Sequence, residues 1–104
     1  MISEFTKKMQ TFVESKGWYE SNSLRPQTPK NLAISISIEA SEILEHFQWG
    51  ETILDKTSLA NELADVALYL LQLASITDID LEQAIDAKLT ENQKRTWNNS
   101  QNID

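Results

Sequence analysis

The stretch Asn31–Trp49, NLAISISIEASEILEHFQW, decides the fold, because its two halves point to different elements. Ile34, Ile36 and Ile38 alternate with Ser35 and Ser37, which is the period of a half-buried strand. Glu39, Glu42 and Glu45 then recur every third residue among apolar neighbours, which is the spacing of a helix. A strand over 33–38 would need a turn before Glu39, and no Gly, Pro, Asn or Asp stands there to make one. Drawn as a helix at about 100° per residue, Leu32, Ile36, Ala40, Ile43 and Phe47 form one stripe, and Ile34 and Ile38 fall on the opposite side. The alternation therefore belongs to a helix that is apolar on two faces, and such a helix is buried on both. One side suits the chain's own core. The other suits a partner subunit.

The same reading extends outward to four helices. The first covers about Ser3 to Lys16, with Ile2, Phe5, Met9, Phe12 and Val13 on one face. GWYESNSLRPQTP follows as a loop. Thr28 is placed to cap the second helix, with Pro29 at its first position, and that helix runs to about Gln48, stopping near Gly50. The third runs from about Ser58 to Ile76. Asp80 caps the fourth, with Gln83 as its capping-box partner, and this helix reaches about Trp97. The chain has only two glycines and two prolines, and both prolines and one glycine lie between residues 17 and 29. Long helices with one irregular segment are expected, in a single all-α, four-helix-bundle domain over residues 1–104.

Composition narrows the function classes. A chain of 104 residues buries a limited core and is often helped by self-association. There is no cysteine, which excludes disulfides and thiolate metal sites. MISEFTKKMQ lacks the apolar core of a signal peptide, and no apolar run is expected to approach the roughly 20 residues that cross a bilayer. A cytoplasmic protein without a membrane partner is expected. The formal net charge of −7 disfavours nucleic acid as a partner, since affinity for its backbone comes from Lys and Arg neutralising phosphates. A small anionic ligand remains compatible, because a cation can bridge an acidic site to a phosphate.

The carboxylates supply such a site. Glu39 borders the main stripe of the second helix, and Glu42 lies a turn further on. On the third helix Leu59, Leu63, Val66, Leu70 and Leu73 form the expected core stripe, with Glu62, Asp65 and Tyr69 parallel to it. If the core stripes meet, ExxE faces ExxD. Carboxylates converging at a half-buried seam repel and lose hydration, and a divalent cation removes that objection; an all-oxygen set suits Mg²⁺ or Mn²⁺. The bland alternative is an acidic helix face turned to water. A ferritin-like di-iron site is disfavoured, because it needs ExxH pairs and the one histidine, His46, follows Glu42 by four and Glu45 by one. On the fourth helix Leu81, Ala84, Ile85 and Leu89 are expected to be buried, with Lys88 and Asn92 inside the same arc. Lys88 could simply snorkel, but the pair would also suit a phosphate and a sugar or base.

These residues carry a family resemblance. NLAISISIEASEILEHFQW, NELADVALYLLQLA and DLEQAIDAKLTENQKR together resemble the MazG-like all-α nucleoside triphosphate pyrophosphohydrolases over about residues 29–95, most nearly the single-domain dCTP pyrophosphatase branch. The specificity lies in the combination of ExxE, FQW, ELxD with a tyrosine four residues on, and KxxxN. The resemblance implies Mg²⁺-dependent cleavage of a (deoxy)nucleoside triphosphate to the monophosphate and pyrophosphate, with a dCTP-like substrate first. It implies Glu39, Glu42, Glu62 and Asp65 as metal ligands, with Glu45 orienting water or completing a second shell. Trp49 matches the tryptophan of FQW near the base, and Tyr69, Lys88 and Asn92 match pocket-lining residues. It implies a homodimer or homotetramer with pockets at subunit interfaces. The chain departs upstream, reading SNSLRPQTP where the branch carries an aromatic residue and a histidine, so Trp18 and Tyr19 are the aromatic surface left for the base. Two other classes stay open: a noncatalytic helical interaction module, and a relative acting on another pyrophosphate-linked substrate.

Overall fold

The computed structural model describes residues 1–17, 26–53 and 55–95. They form four helices, α1 (Ile2–Lys16), α2 (Pro29–Glu45), α3 (Lys56–Ile76) and α4 (Leu81–Lys94), and no strand occurs among the described residues. The conflict in the opening stretch is thus resolved as helix. Local chemistry sets the boundaries. Thr28 Oγ1 accepts from the Asn31 N–H at 3.1 Å, with Pro29 pre-set for the first turn. Asp55 and Asp80 cap α3 and α4 in the same way, accepting from the Ser58 and Gln83 N–H groups at 3.0 Å. Gly17 ends α1 in the left-handed conformation, φ 66°, where a side chain would be strained. α2 stops at Glu45, short of the expected Gln48, because the chain tightens into a turn: His46 N–H donates to the Ile43 carbonyl at 3.1 Å and Phe47 N–H to that of Leu44 at 3.0 Å. The expected end of α4 at Trp97 lies outside the described residues.

α2 and α3 form the main packed pair. They run antiparallel: His46 on the turn after α2 meets Glu62, while Glu39, earlier on α2, neighbours Asp65, later on α3. α1 lies against the second half of α3, where Met9 and Val13 bury against Leu71 and Gln10 Nε2 donates to Ser75 Oγ at 2.7 Å. The start of α4 is held to the start of α1 by the Ile2 N–H, which donates to Glu82 Oε1 at 3.2 Å.

The inward stripe of α2 holds in part. Leu32 is 1% exposed, and Ile36 and Ile43 are half-buried, while Ala40 and Phe47 are exposed. Full burial of Leu32 contributes about 1.5–3 kcal/mol. Ile34 and Ile38 point away from this core, as the periodicity predicts.

Two expected faces are corrected. On α3, Leu59, Val66 and Leu73 of the expected stripe are half-buried, but Leu63 and Leu70 are exposed, and the fully buried residues are Leu71, Gln72 and Ala74. The helix is apolar nearly all round, and α1 and α2 claim different sides of it. On α4, Leu81 is half-buried, but Ala84 and Ile85 are exposed and Leu89 is 55% exposed, so its apolar arc, with Lys88, is left uncovered among the described residues. The radius of gyration, 16.8 Å, exceeds the about 13 Å of a compact domain of this size. The helices leave an open assembly with apolar faces uncovered.

α3 also revises the reading of apolar length. It has 21 residues and a mean hydropathy of 1.3 over its most apolar window, long and apolar enough by those measures to cross a membrane. Glu62 and Asp65 in its middle would be costly in hydrocarbon, and it is the helix against which α1 and α2 pack.

Candidate functional site

The seam between α2 and α3 gathers the two carboxylate pairs. Glu39 is half-buried, and its Oε2 is shielded from solvent without a hydrogen-bond partner among the described residues. Its carboxyl is pushed above the ordinary value of 4.5, first by burial, then by the charge of Glu42 and the hydrogen bond to it, then by the charges of Asp65 and Glu62. The other three carboxylates of the sequence pattern therefore all lie close enough to act on Glu39 through space. Antiparallel packing brings this about, since spacing of three keeps each pair on one side of its helix.

The neighbours do not form a closed cluster as they stand. Among the described residues no group of three or more Asp, Glu or His side chains is disposed to hold a metal ion. Glu62 is engaged instead by His46, whose Nε2 contacts Glu62 Oε2, with both side chains largely out of solvent. The donor set nevertheless fits a hard divalent cation. It is all oxygen, it concentrates negative charge, and Glu39 Oε2 is an acceptor left without a donor.

Other expected site residues are dispersed. Tyr69 is half-buried and lines a groove of about 490 Å³ between α1 and α3, with Asp65 in the same lining. Glu45 and Trp49 line a smaller depression with His46 and Asp55, and the Trp49 ring is 90% exposed. Lys88 is exposed, with Nζ 3.7 Å from the Glu91 carboxylate. Asn92 is half-buried late in α4. Trp18 and Tyr19 lie outside the described residues.

Two groups escape sequence reasoning. The sequence presents His46 only as a candidate metal ligand, whereas it braces one of the carboxylates. Gln72 is buried beside the groove; its signal was a single polar residue inside YLLQLA.

A small all-helical domain whose central helix pair faces ExxE against ExxD defines a class of acidic-seam helical proteins, and comparison with known proteins specifies it. The model of the MazG-like family matches residues 34–104, and the chain belongs to that family. It is 33% identical over 76 residues to dCTP pyrophosphatase 1 of Mus musculus, covering 64% of this chain and 45% of that protein. The Homo sapiens protein of the same name is likewise 33% identical, with the same coverage. The chain thus spans about half the length of the relatives it matches. Among solved structures, a pyrophosphatase from Archaeoglobus fulgidus DSM 4304 is 36% identical, with a TM-score of 0.73 and 88% of each chain covered.

Proposed function

We propose that this protein hydrolyses (deoxy)nucleoside triphosphates to the monophosphate and pyrophosphate, with dCTP-like substrates first, in the upkeep of the nucleotide pool. The observation that carries this reading is the seam at which Glu39, raised first by its burial, also feels the charges of Glu42, Asp65 and Glu62. The pyrophosphatase names of its relatives support it.

Glu39, Glu42, Glu62 and Asp65 would hold Mg²⁺ or Mn²⁺. When bound, the cation supplies charge neutralisation to the phosphates and acidity to a water molecule. The chain's own groups do the rest. Water adds to phosphorus at the α–β bridge, the bridging P–O bond breaks, and pyrophosphate departs. The proton passes to a carboxylate not fully committed to the cation, Glu42 or Glu45. His46 holds Glu62 in place. Lys88 stabilises charge on the leaving group, and Trp49, Tyr69, Asn92 and Trp18 serve the base and sugar.

Lys88 and Trp49 stand outside the seam of one chain. We assign their approach to a homodimer or homotetramer. Ile34 and Ile38 on α2, Leu63 and Leu70 on α3, and Ile85 and Leu89 on α4 are the uncovered surface for a second copy. The test is pyrophosphate release from the common NTPs and dNTPs, with and without Mg²⁺. Release that needs Mg²⁺ and is lost in Asp65→Asn supports the reading. No release from any nucleotide overturns it.

A further inference from the structure

The groove between α1 and α3 is built from two matched helix faces. α1 contributes Phe5, Met9 and Phe12, at i, i+4 and i+7; α3 contributes Asp65, Leu68, Tyr69 and Gln72, at i, i+3, i+4 and i+7. Its walls are chiefly apolar, and its volume is about 490 Å³. Phe5 is half exposed, with Lys8 Nζ over its ring 5.8 Å from the centroid, so a planar guest would stack on the part of the ring that Lys8 does not cover.

One member is out of character. Gln72 is 4% exposed, and its Oε1 is buried with no hydrogen-bond partner among the described residues. A buried amide oxygen without a donor costs stability that an apolar side chain would not. Asp65 and Gln72 share one side of α3, two turns apart, which is about 10 Å along the helix axis. That separation is of the order of the reach from the 5′ end of a nucleotide to the far edge of its base. One end of the groove therefore meets the acidic seam through Asp65, and Gln72 lies at base distance from it.

Resting on the hydrolase reading above, we propose that this groove takes the sugar and base of the nucleotide and that Gln72 is the specificity-determining residue. An orphan carbonyl oxygen requires a donor. On the Watson–Crick edge, cytosine and adenine present one as an exocyclic amino group beside a ring-nitrogen acceptor, which the amide Nε2 of the same side chain can serve, whereas the guanine amino group there lies beside a ring N–H donor. Stacking on Phe5 supplies affinity without choice between bases. Gln72 supplies the choice.

The test has two arms. The first is steady-state kinetics of the full chain and of Gln72→Leu with dCTP, dATP, dGTP and dTTP. The variant raises KM for the preferred nucleotide about tenfold or more, lowers kcat less, and narrows the spread of kcat/KM across the four bases; dCTP and dATP separate the two bases that set an amino donor beside a ring-nitrogen acceptor on that edge. An unchanged ranking and spread in Gln72→Leu overturns the proposal while leaving the hydrolase reading intact. The second arm is an NMR titration of the unmodified protein with the four deoxynucleosides in chelator. The preferred nucleoside moves the Gln72 side-chain amide and Met9 methyl signals. Should no nucleotide be hydrolysed, or the variant fail to fold, this arm decides alone: shifts at both residues uphold the groove as a base site, and none overturns it.

Discussion

His46 Nε2 contacts Glu62 Oε2, so the turn that ends α2 is tied to the carboxylate that opens the acidic stripe of α3. An ionised carboxylate only accepts, so the ring N–H is the donor and sets the direction of the Glu62 oxygens. Removing an outer partner of this kind typically costs about 10–100-fold in metal affinity. His46→Ala is therefore expected to raise the Mg²⁺ concentration for half-maximal activity by about that factor, with a smaller change in saturated kcat. Activity against Mg²⁺ concentration checks it; an unaltered Mg²⁺ curve rejects a bracing role.

Asp65→Asn keeps the shape of the side chain and removes its charge. It is expected to abolish hydrolysis, by about 100-fold or more, on the magnitude of losses when a group that stabilises the transition state is removed, with helical circular dichroism unchanged. Glu42→Gln should behave likewise. Full turnover in both variants places the chemistry elsewhere.

Glu39 gives the metal-free protein a pH dependence. Its carboxyl lies above 4.5 in the folded chain, chiefly through burial. The folded state thus holds this proton more tightly than the unfolded state does. Its contribution to stability is fully present below 4.5 and is lost as pH rises through the folded value. Glu39→Gln should then melt higher than the unmodified protein at pH 7 in chelator, and the gap should close toward pH 4. Mg²⁺ should raise the melting temperature of the unmodified protein and raise that of Glu39→Gln less. Thermal unfolding across pH, with and without Mg²⁺, reads both. A lower melting point for the variant at pH 7 contradicts the assignment.

Ile38 is 54% exposed on the face of α2 turned away from the core. Ile38→Glu puts a charge where a second copy is assigned. Light scattering at micromolar concentration should show the parent above monomer mass and the variant shifted down. A monomeric parent removes the basis for this interface.

Trp49 buries almost nothing within one chain, so Trp49→Ala has little to lose in the stability of a monomer. It is expected to raise KM several-fold and leave kcat nearly unchanged, because stacking serves ground and transition states alike. Lys88→Ala should lower kcat instead, since a charge beside the phosphates gains strength as the bond breaks. Steady-state kinetics of both variants separates the roles; an unchanged KM in Trp49→Ala moves the base away from that ring.

The sequence by itself determined what depends on neighbours a few residues apart. Thr28 and Asp80 mark helix starts because a cap acts across three residues. The helical turn puts Leu32 and Ile36 on one side of α2 and Ile34 and Ile38 on the other, and it puts Glu62 on the same side of α3 as Asp65. Periodicity says which residues share a face, but not what that face meets. Only the tertiary structure decided that α1 takes the side of α3 holding Leu71 and Gln72, that Leu63 and Leu89 lie uncovered, and that His46 reaches Glu62. Each of these depends on the packing of helices distant in sequence. An apolar stripe is satisfied equally well by its own chain or by another copy, so the pattern of one helix cannot choose between them.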